Sequence, residues 1–121
     1  MSSRNLQEMS VNELVRYFIT IALTQNEARF RISEFNRLFD EMEKVEQELK
    51  RRQGDRRHAL LALYTHPNVE VRLAAAKATL AVAPEAARRM LQSIAESHEY
   101  PQAGDAGMSL DALDSGIFKP R

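Results

Sequence analysis

The chain has 121 residues, 44% of them hydrophobic, which suits one domain that buries about two-thirds of its unfolded surface. Its 17 basic and 17 acidic residues cancel, so the overall basicity typical of a nucleic-acid-binding protein is missing, and the lack of cysteine excludes disulfide bonds and thiolate metal sites. The N-terminal MSSRNLQEMS has no apolar core of a signal peptide, and no run approaches the ~20 apolar residues that span a bilayer. We therefore expect a soluble, cytoplasmic protein with no membrane partner.

The first predicted helix follows a polar N-terminal stretch. Residues 1–9 are expected to be flexible, and residues 10–121 to form a single helical domain. Ser10 and Glu13 have the spacing of a capping box, in which each side chain accepts a hydrogen bond from the backbone of the other residue. Apolar residues then recur at helical spacing, which predicts a helix over residues 11–30.

A second amphipathic stripe predicts a helix that Ser33 caps and that ends before Gly54. An antiparallel hairpin of the two helices would bury both apolar stripes, whereas one continuous helix would leave them uncovered. Three oppositely charged pairs, spaced four residues apart with the acid first, are expected on the outer face. They are Asp40 with Lys44, Glu46 with Lys50, and Glu48 with Arg52.

Three further helices are predicted between residues 55 and 99. Asp55 and Asn68 are suited to cap helices over residues 56–65 and 69–82, and Pro67 separates the two. Pro84 stands in the first turn of the next helix, where proline is tolerated. The helix after Asn68 is rich in alanine, which lets a neighbouring helix approach closely. The expected fold is therefore all-α, with about five helices packed in a stack.

The C-terminal stretch, residues 99–121, differs in composition from the rest. It carries three of the four glycines, yet also too many apolar residues for a disordered tail. We expect it to wrap the helices and to form one short helix over residues 110–114, capped by Ser109. Gly104 and Gly107 are expected to adopt positive φ in a loop. Phosphate binding by that loop is the alternative, although the Lys-Ser/Thr of a P-loop is missing.

The corner at residues 66–68 and the helix after it resemble a HEAT repeat. In that family a short turn is followed by a Val-Arg pair and small residues, here Val71, Arg72 and Ala74 to Ala76. The resemblance covers about one repeat and implies a HEAT-like α-α superhelix. It also implies a structural role for Arg72, which in such repeats bonds to an acidic or carbonyl group.

A second resemblance extends over most of the chain. The segment DRRHALLALYTHPNVEVRLAAAKATLAVAPEAARRML and the tail PQAGDAGMSLDALDSGIFKP are similar to a small, uncharacterised bacterial family of all-helical domains. That resemblance implies the fold but no reaction. Small helical families of this kind include immunity proteins, which neutralise a toxin encoded by a neighbouring gene.

No residue pattern in the sequence predicts catalysis, a metal site or a cofactor. The three histidines, His58, His66 and His98, lack the spacing of a zinc motif. Most carboxylates stand on predicted solvated faces with basic neighbours, where their pKa stays unsuited to general acid catalysis. We therefore expect a protein that is not an enzyme.

Two charged clusters are the candidate functional sites. An acidic face on the second helix would bind another protein, such as a basic toxin; its residues are Asp40, Glu41, Glu43, Glu46 and Glu48. The alternative is a basic cluster that binds nucleic acid in a HEAT-like manner; its residues are Lys50, Arg51, Arg52, Arg56 and Arg57. No aromatic residues interleave with this cluster, and its position at a helix C-terminus has an electrostatic explanation in the helix dipole. The sequence leaves the oligomeric state open.

Overall fold

The computed structural model describes residues 5–121, which divide into two compact units, one ending at Ala59 and the other running over Leu60–Arg121. Every regular element of the described residues is helical, as the all-α prediction requires. The single-domain boundary at residue 10 stays a prediction. The expected flexibility of residues 1–9 falls partly on residues 1–4, which lie outside the described residues, while Leu6–Glu8 form a short 3₁₀ turn.

The first unit is built on two helices, α1 over Val11–Glu27 and α2 over Ile32–Arg51. The capping box is confirmed: the Glu13 backbone N–H donates to Ser10 Oγ at 3.1 Å, and the Ser10 N–H donates to Glu13 Oε1 at 2.8 Å. The two helices pack together as an antiparallel pair, since contact partners on α2 move toward its C-terminus as those on α1 move toward its N-terminus. Their shared core contains Leu14, Phe18, Ile21, Leu38, Met42, Val45 and Leu49.

The turn between α1 and α2 differs from the prediction. Helix α1 ends at Glu27, three residues early, and α2 begins at Ile32 without a side-chain cap, so Ser33 is not its N-cap. The Arg31 N–H donates to the Ala28 carbonyl at 2.9 Å, which closes the turn with backbone alone. The Arg31 side chain pairs instead with Glu34 at 3.0 Å.

A 3₁₀ helix over Arg56–Thr65 leads into the second unit, which contains α3 over Val69–Ala78, α4 over Pro84–Ala95 and α5 over Gln102–Asp114. Asn68 caps α3 as predicted, because its Oδ1 accepts from the backbone N–H of Glu70 at 2.8 Å. Helix α3 stops at Ala78, four residues before the predicted end. The three helices pack on one another around a core of Leu73, Ala76, Leu80, Ala87, Leu91, Ile94 and Ala106.

Helix α5 differs from the structure predicted for the C-terminal stretch. Its 13 residues begin at Gln102, so Ser109 lies inside the helix and is not a cap, and Gly104 and Gly107 have helical backbone. Positive φ occurs later, at Gly116, just after the helix ends. Glycine weakens an isolated helix, but the burial of Ala103 and Ala106 against α3 and α4 stabilises this one. A phosphate-binding loop at residues 102–107 is therefore excluded.

Replacement of Leu73 by Asp tests the core of the second unit. Leu73 is 2% exposed, so an unpaired carboxylate there should cost about 3–5 kcal/mol and unfold the unit. Circular dichroism during heating measures the loss of helix. The control is Lys77→Gln on the same helix, which removes an exposed ion pair with Asp105 and should change stability little. Equal melting of Leu73→Asp and the wild type would contradict this packing.

Candidate functional site

The five residues of the predicted acidic face do not share one environment. Glu48 is 6% exposed and lies in the core-facing part of α2. Glu41 is half-buried and accepts a hydrogen bond from the Tyr17 hydroxyl at 2.8 Å, and Glu46 is also half-buried. Asp40 and Glu43 are exposed, and neither has a hydrogen-bond or ion-pair partner among residues 5–121. We call these two residues the open acidic pair.

Glu48 is the buried centre of a charge cluster at the C-terminal end of α2. Arg51 binds both of its carboxylate oxygens, with Nη2 at 2.8 Å from Oε1 and 3.0 Å from Oε2. Arg52 Nε donates to Oε2 at 2.7 Å. Burial alone would raise the pKa of Glu48, but the hydrogen bonds and charges of Arg52 and Arg51 outweigh it and hold this pKa below its usual value. The carboxylate is therefore ionised and matched by two guanidinium groups.

Arg52 also holds the N-terminal segment. Its Nη2 donates to the carbonyl of Met9 at 2.9 Å and to that of Leu6 at 3.1 Å. One guanidinium thus joins the end of α2 to the chain just before α1. This contact occupies the donors that a phosphate group would otherwise bind.

Arg57 is also bound to a carboxylate of the chain. It is buried, and its Nη2 lies 2.6 Å and its Nε 2.9 Å from the carboxylate oxygens of Asp55. The hydrogen bond from Arg57 lowers the pKa of Asp55 and, with the charges of Asp55 and Glu46, raises that of Arg57. Of the predicted basic cluster, Lys50 is half-buried and Arg56 exposed, while Arg51, Arg52 and Arg57 are bound to carboxylates of the chain.

Charge pairs on α2 follow a spacing that the sequence analysis did not predict. Three acids at seven-residue intervals each pair with a base three residues further on. The pairs are Glu34 with Arg37 at 4.0 Å, Glu41 with Lys44 at 3.8 Å, and Glu48 with Arg51 at 2.8 Å. Lys44 therefore pairs with Glu41 and not with Asp40, whereas the predicted pair of Glu48 and Arg52 is present. These three acids are thereby neutralised along the length of α2, whereas Asp40 and Glu43 have no such ion pair among residues 5–121.

Arg72 in the second unit has two partners of the kind that the HEAT resemblance implies. Its Nη1 donates to the carbonyl of His66 at 2.7 Å, and its Nη2 lies 3.4 Å from Glu99. It therefore joins the corner before α3 to the segment after α4.

Two buried polar contacts were missed from sequence. Gln102 Nε2 donates to Glu70 Oε1 at 2.9 Å, which links the first turns of α5 and α3. Thr79 Oγ1 donates to the Ala75 carbonyl at 2.8 Å and lies 2.6 Å from the Tyr64 hydroxyl, whose pKa is raised by burial. Nothing in the sequence marks the pairing of Gln102 with Glu70 or of Thr79 with Tyr64, because the partners are more than ten positions apart and lack a local pattern.

The histidines make local contacts. His66 Nδ1 accepts from the Asn68 N–H at 3.0 Å, His58 Nδ1 lies 3.0 Å from the Asp55 carbonyl, and His98 meets Tyr100 edge-on. No group of three potential metal ligands occurs among residues 5–121. Within the same residues, no helix has the length and apolar character needed to cross a membrane.

The comparisons with known proteins agree with the helical fold of the described residues. Residues 12–114 match the family described as a domain of unknown function (DUF2019), so the chain belongs to that family. The predicted resemblance to an uncharacterised family of helical domains is thereby confirmed. The chain is also similar to protein RPA1889 from Rhodopseudomonas palustris CGA009, known from a crystal structure. The two are 50% identical, with a TM-score of 0.93 over 98% of this chain and 100% of the other. No curated protein matches the sequence.

The Tyr17–Glu41 contact should make the stability of the fold depend on pH in the alkaline range. Burial, followed by the hydrogen bond to Glu41 and the charge of Glu41, raises the pKa of Tyr17 from 10.0 to about 12. Between these values the phenol ionises more readily in the unfolded chain, so its stabilising contribution is complete below pH 10 and declines as the pH rises toward 12. Denaturant titrations should therefore show a smaller loss of stability over this range in Tyr17→Phe than in the wild type. Parallel losses in the two proteins would contradict the contact.

The ion pairs of Glu48 should make the stability of the fold depend on pH in the acid range. Glu48→Gln leaves Arg52 without its carboxylate and should cost about 1–3 kcal/mol at neutral pH. Because the folded-state pKa of Glu48 is lowered, its contribution is complete above the ordinary glutamate pKa of about 4.3 and declines as the pH falls through the folded value. The stability difference between variant and wild type should thus narrow below about pH 4.3. Glu34→Gln, on an exposed ion pair, is the control and should have little effect.

Proposed function

We propose that this protein is a non-enzymatic protein-interaction module that binds a basic protein partner through the open acidic pair, Asp40 and Glu43. The observation that carries the proposal is the unequal use of the two charged clusters. The open acidic pair is exposed and lacks partners among residues 5–121, whereas three of the five basic residues already bind carboxylates of the chain. Exposed carboxylates in this arrangement attract a cationic surface and increase the rate of association.

Nucleic-acid binding by the basic cluster is the less supported alternative. Affinity for a duplex comes mainly from cations that neutralise phosphates. Arg51 and Arg52 share the charge of Glu48, and Arg57 shares that of Asp55, which lowers the local positive potential. Lys50 and Arg56 alone would make too few phosphate contacts for tight binding.

The perturbed carboxylates support a role without catalysis. A general acid needs a raised pKa, so that it still holds a proton at neutral pH. The pKa values of Glu48 and Asp55 are instead lowered, because arginine side chains bind both carboxylates. This is the chemistry of structural ion pairs.

The proposal also names the kind of partner and the place where the protein acts. A basic toxin from a neighbouring gene fits the open acidic pair, and the chain would then act as a cytoplasmic immunity protein in a bacterium. The bacterial source of the 50% identical relative supports that setting. The contacts of Arg72 support HEAT-like packing, since they join one helical pair to the next segment.

Charge reversal tests the proposal. In affinity purification from the native organism, a basic protein should be recovered with the wild type, and recovery should survive nuclease treatment and fall at high salt. Asp40→Lys with Glu43→Lys should reduce recovery at least about tenfold. The matched control, Glu96→Lys with Asp111→Lys, makes the same change in net charge at exposed acids of the second unit and should leave recovery intact.

Three outcomes would overturn the proposal. Recovery that depends on nucleic acid would favour the basic cluster, and equal recovery with both double variants would remove Asp40 and Glu43 from the interface. For the toxin partner, the neighbouring gene product should arrest growth when expressed alone and be neutralised by the wild-type chain. Neutralisation that persists in Asp40→Lys with Glu43→Lys would exclude these carboxylates from the function.

A further inference from the structure

Large apolar side chains are exposed beside the open acidic pair. Ile32 is 74% exposed and Phe39 is 55% exposed, although both belong to a regular helix whose other large apolar residues lie in or near the core. Phe30, in the turn just before α2, is 94% exposed. Such a concentration of exposed apolar area at one end of a hairpin is typical of a binding surface.

Helix geometry places these residues on one flank of α2. Ile32 and Phe39 are seven residues apart, which is two turns and about 10 Å along the axis. Glu43 follows Phe39 by one turn on the same side, and Asp40, three residues before Glu43, borders this side toward Lys44. The buried residues Leu38, Met42 and Val45 lie on a different face of α2 from Ile32 and Phe39.

The unmatched charge beside these apolar side chains is acidic. Lys44 and Arg51 border the same shallow depression as Asp40 and Glu43, but each of these two bases pairs with its own acid, Glu41 and Glu48 respectively. Asp40 and Glu43 have no such match among residues 5–121. The flank therefore combines two apolar side chains with two carboxylates that a partner would have to neutralise.

These observations favour a cationic partner over a second copy of the chain. A two-fold pairing of two α2 helices centred on Phe39 would cover that ring, but it would also bring Asp40 close to its own counterpart. Like charges at that distance oppose association. A helix that carries Lys or Arg beside its apolar residues meets both requirements of the surface.

We propose that Ile32, Phe39, Asp40 and Glu43 form one docking surface for a cationic amphipathic helix of a partner protein. Apolar residues of the partner at helical spacing pack on Ile32 and Phe39, and its flanking Lys or Arg side chains pair with Asp40 and Glu43. The inference rests on the proposed function and adds to it the apolar half of the interface and the helical form of the ligand.

The test uses the full-length chain and three fluorescent peptides of equal length. The first is an amphipathic Leu/Lys helix, the second a scrambled peptide of the same composition, and the third a Leu/Glu helix. Fluorescence anisotropy should show binding of the first peptide, at least about tenfold weaker binding of the scrambled one, and weaker binding still of the Leu/Glu helix.

Two double variants separate this inference from the proposed function. Ile32→Ser with Phe39→Ser should weaken Leu/Lys binding at least about tenfold, as should Asp40→Lys with Glu43→Lys. The control is Met108→Ser with Ile117→Ser, which removes two exposed apolar side chains of the second unit and should leave affinity unchanged. Circular dichroism should show wild-type helix content in all three, because every replaced side chain is exposed.

Results that differ from these expectations show whether the inference alone fails or the proposed function fails with it. If only the charge reversal weakens binding, the acidic pair acts alone, and the inference fails while the proposed function stands. If neither variant weakens binding, both fail. If no peptide binds, the inference fails. If the wild type dimerises in sedimentation experiments and Ile32→Ser with Phe39→Ser does not, the surface is an interface between copies, and the inference is overturned.

Discussion

The buried carboxylate of Glu48 is the interaction that determines how charge is distributed over the first unit. A glutamate that is almost fully buried must be neutralised, and Arg51 and Arg52 reach it from one turn away at 2.7–3.1 Å. Arg52 then has donors left for the carbonyls of Leu6 and Met9. The buried carboxylate thus binds two arginines, although Arg51 stays exposed at the surface, and Arg52 attaches the N-terminal segment to α2. The predicted acidic and basic clusters are therefore not two separate surfaces, since Glu48 of the first binds Arg51 and Arg52 of the second.

Local patterns predicted the fold well where the determinant lay within one turn. Ser10 and Glu13, Asn68, Pro67 and Pro84 act where the sequence placed them, because capping and proline effects depend on neighbours in the chain. The α1–α2 turn was less predictable, since backbone bonding without a side-chain cap leaves no mark in the sequence. Helix α5 was misread because its stability comes from Ala103 and Ala106 packed on other helices, whereas glycine content reports only local preference.

The candidate site was predictable only in part. Composition placed acids on α2, and periodicity placed most of them outside the core stripe. Sequence could not show that Glu48 is buried, because its two arginines make burial possible only once the side chains have converged. The exposure of Ile32 and Phe39 was not predicted either, because only the packing of α2 against α1 shows which of its apolar residues stay uncovered.

Helix α5 has a consequence for the dynamics of the second unit. With two glycines in 13 residues, this segment would be largely coil if it were detached from α3 and α4. Its backbone order is therefore inseparable from its docking, and the Glu70–Gln102 hydrogen bond is the polar contact that aligns its first turn. Amide protons of α5 should exchange with solvent through the same opening that separates it from its neighbours. Undocking and melting of this helix are then a single cooperative event, with no stage at which α5 detaches intact.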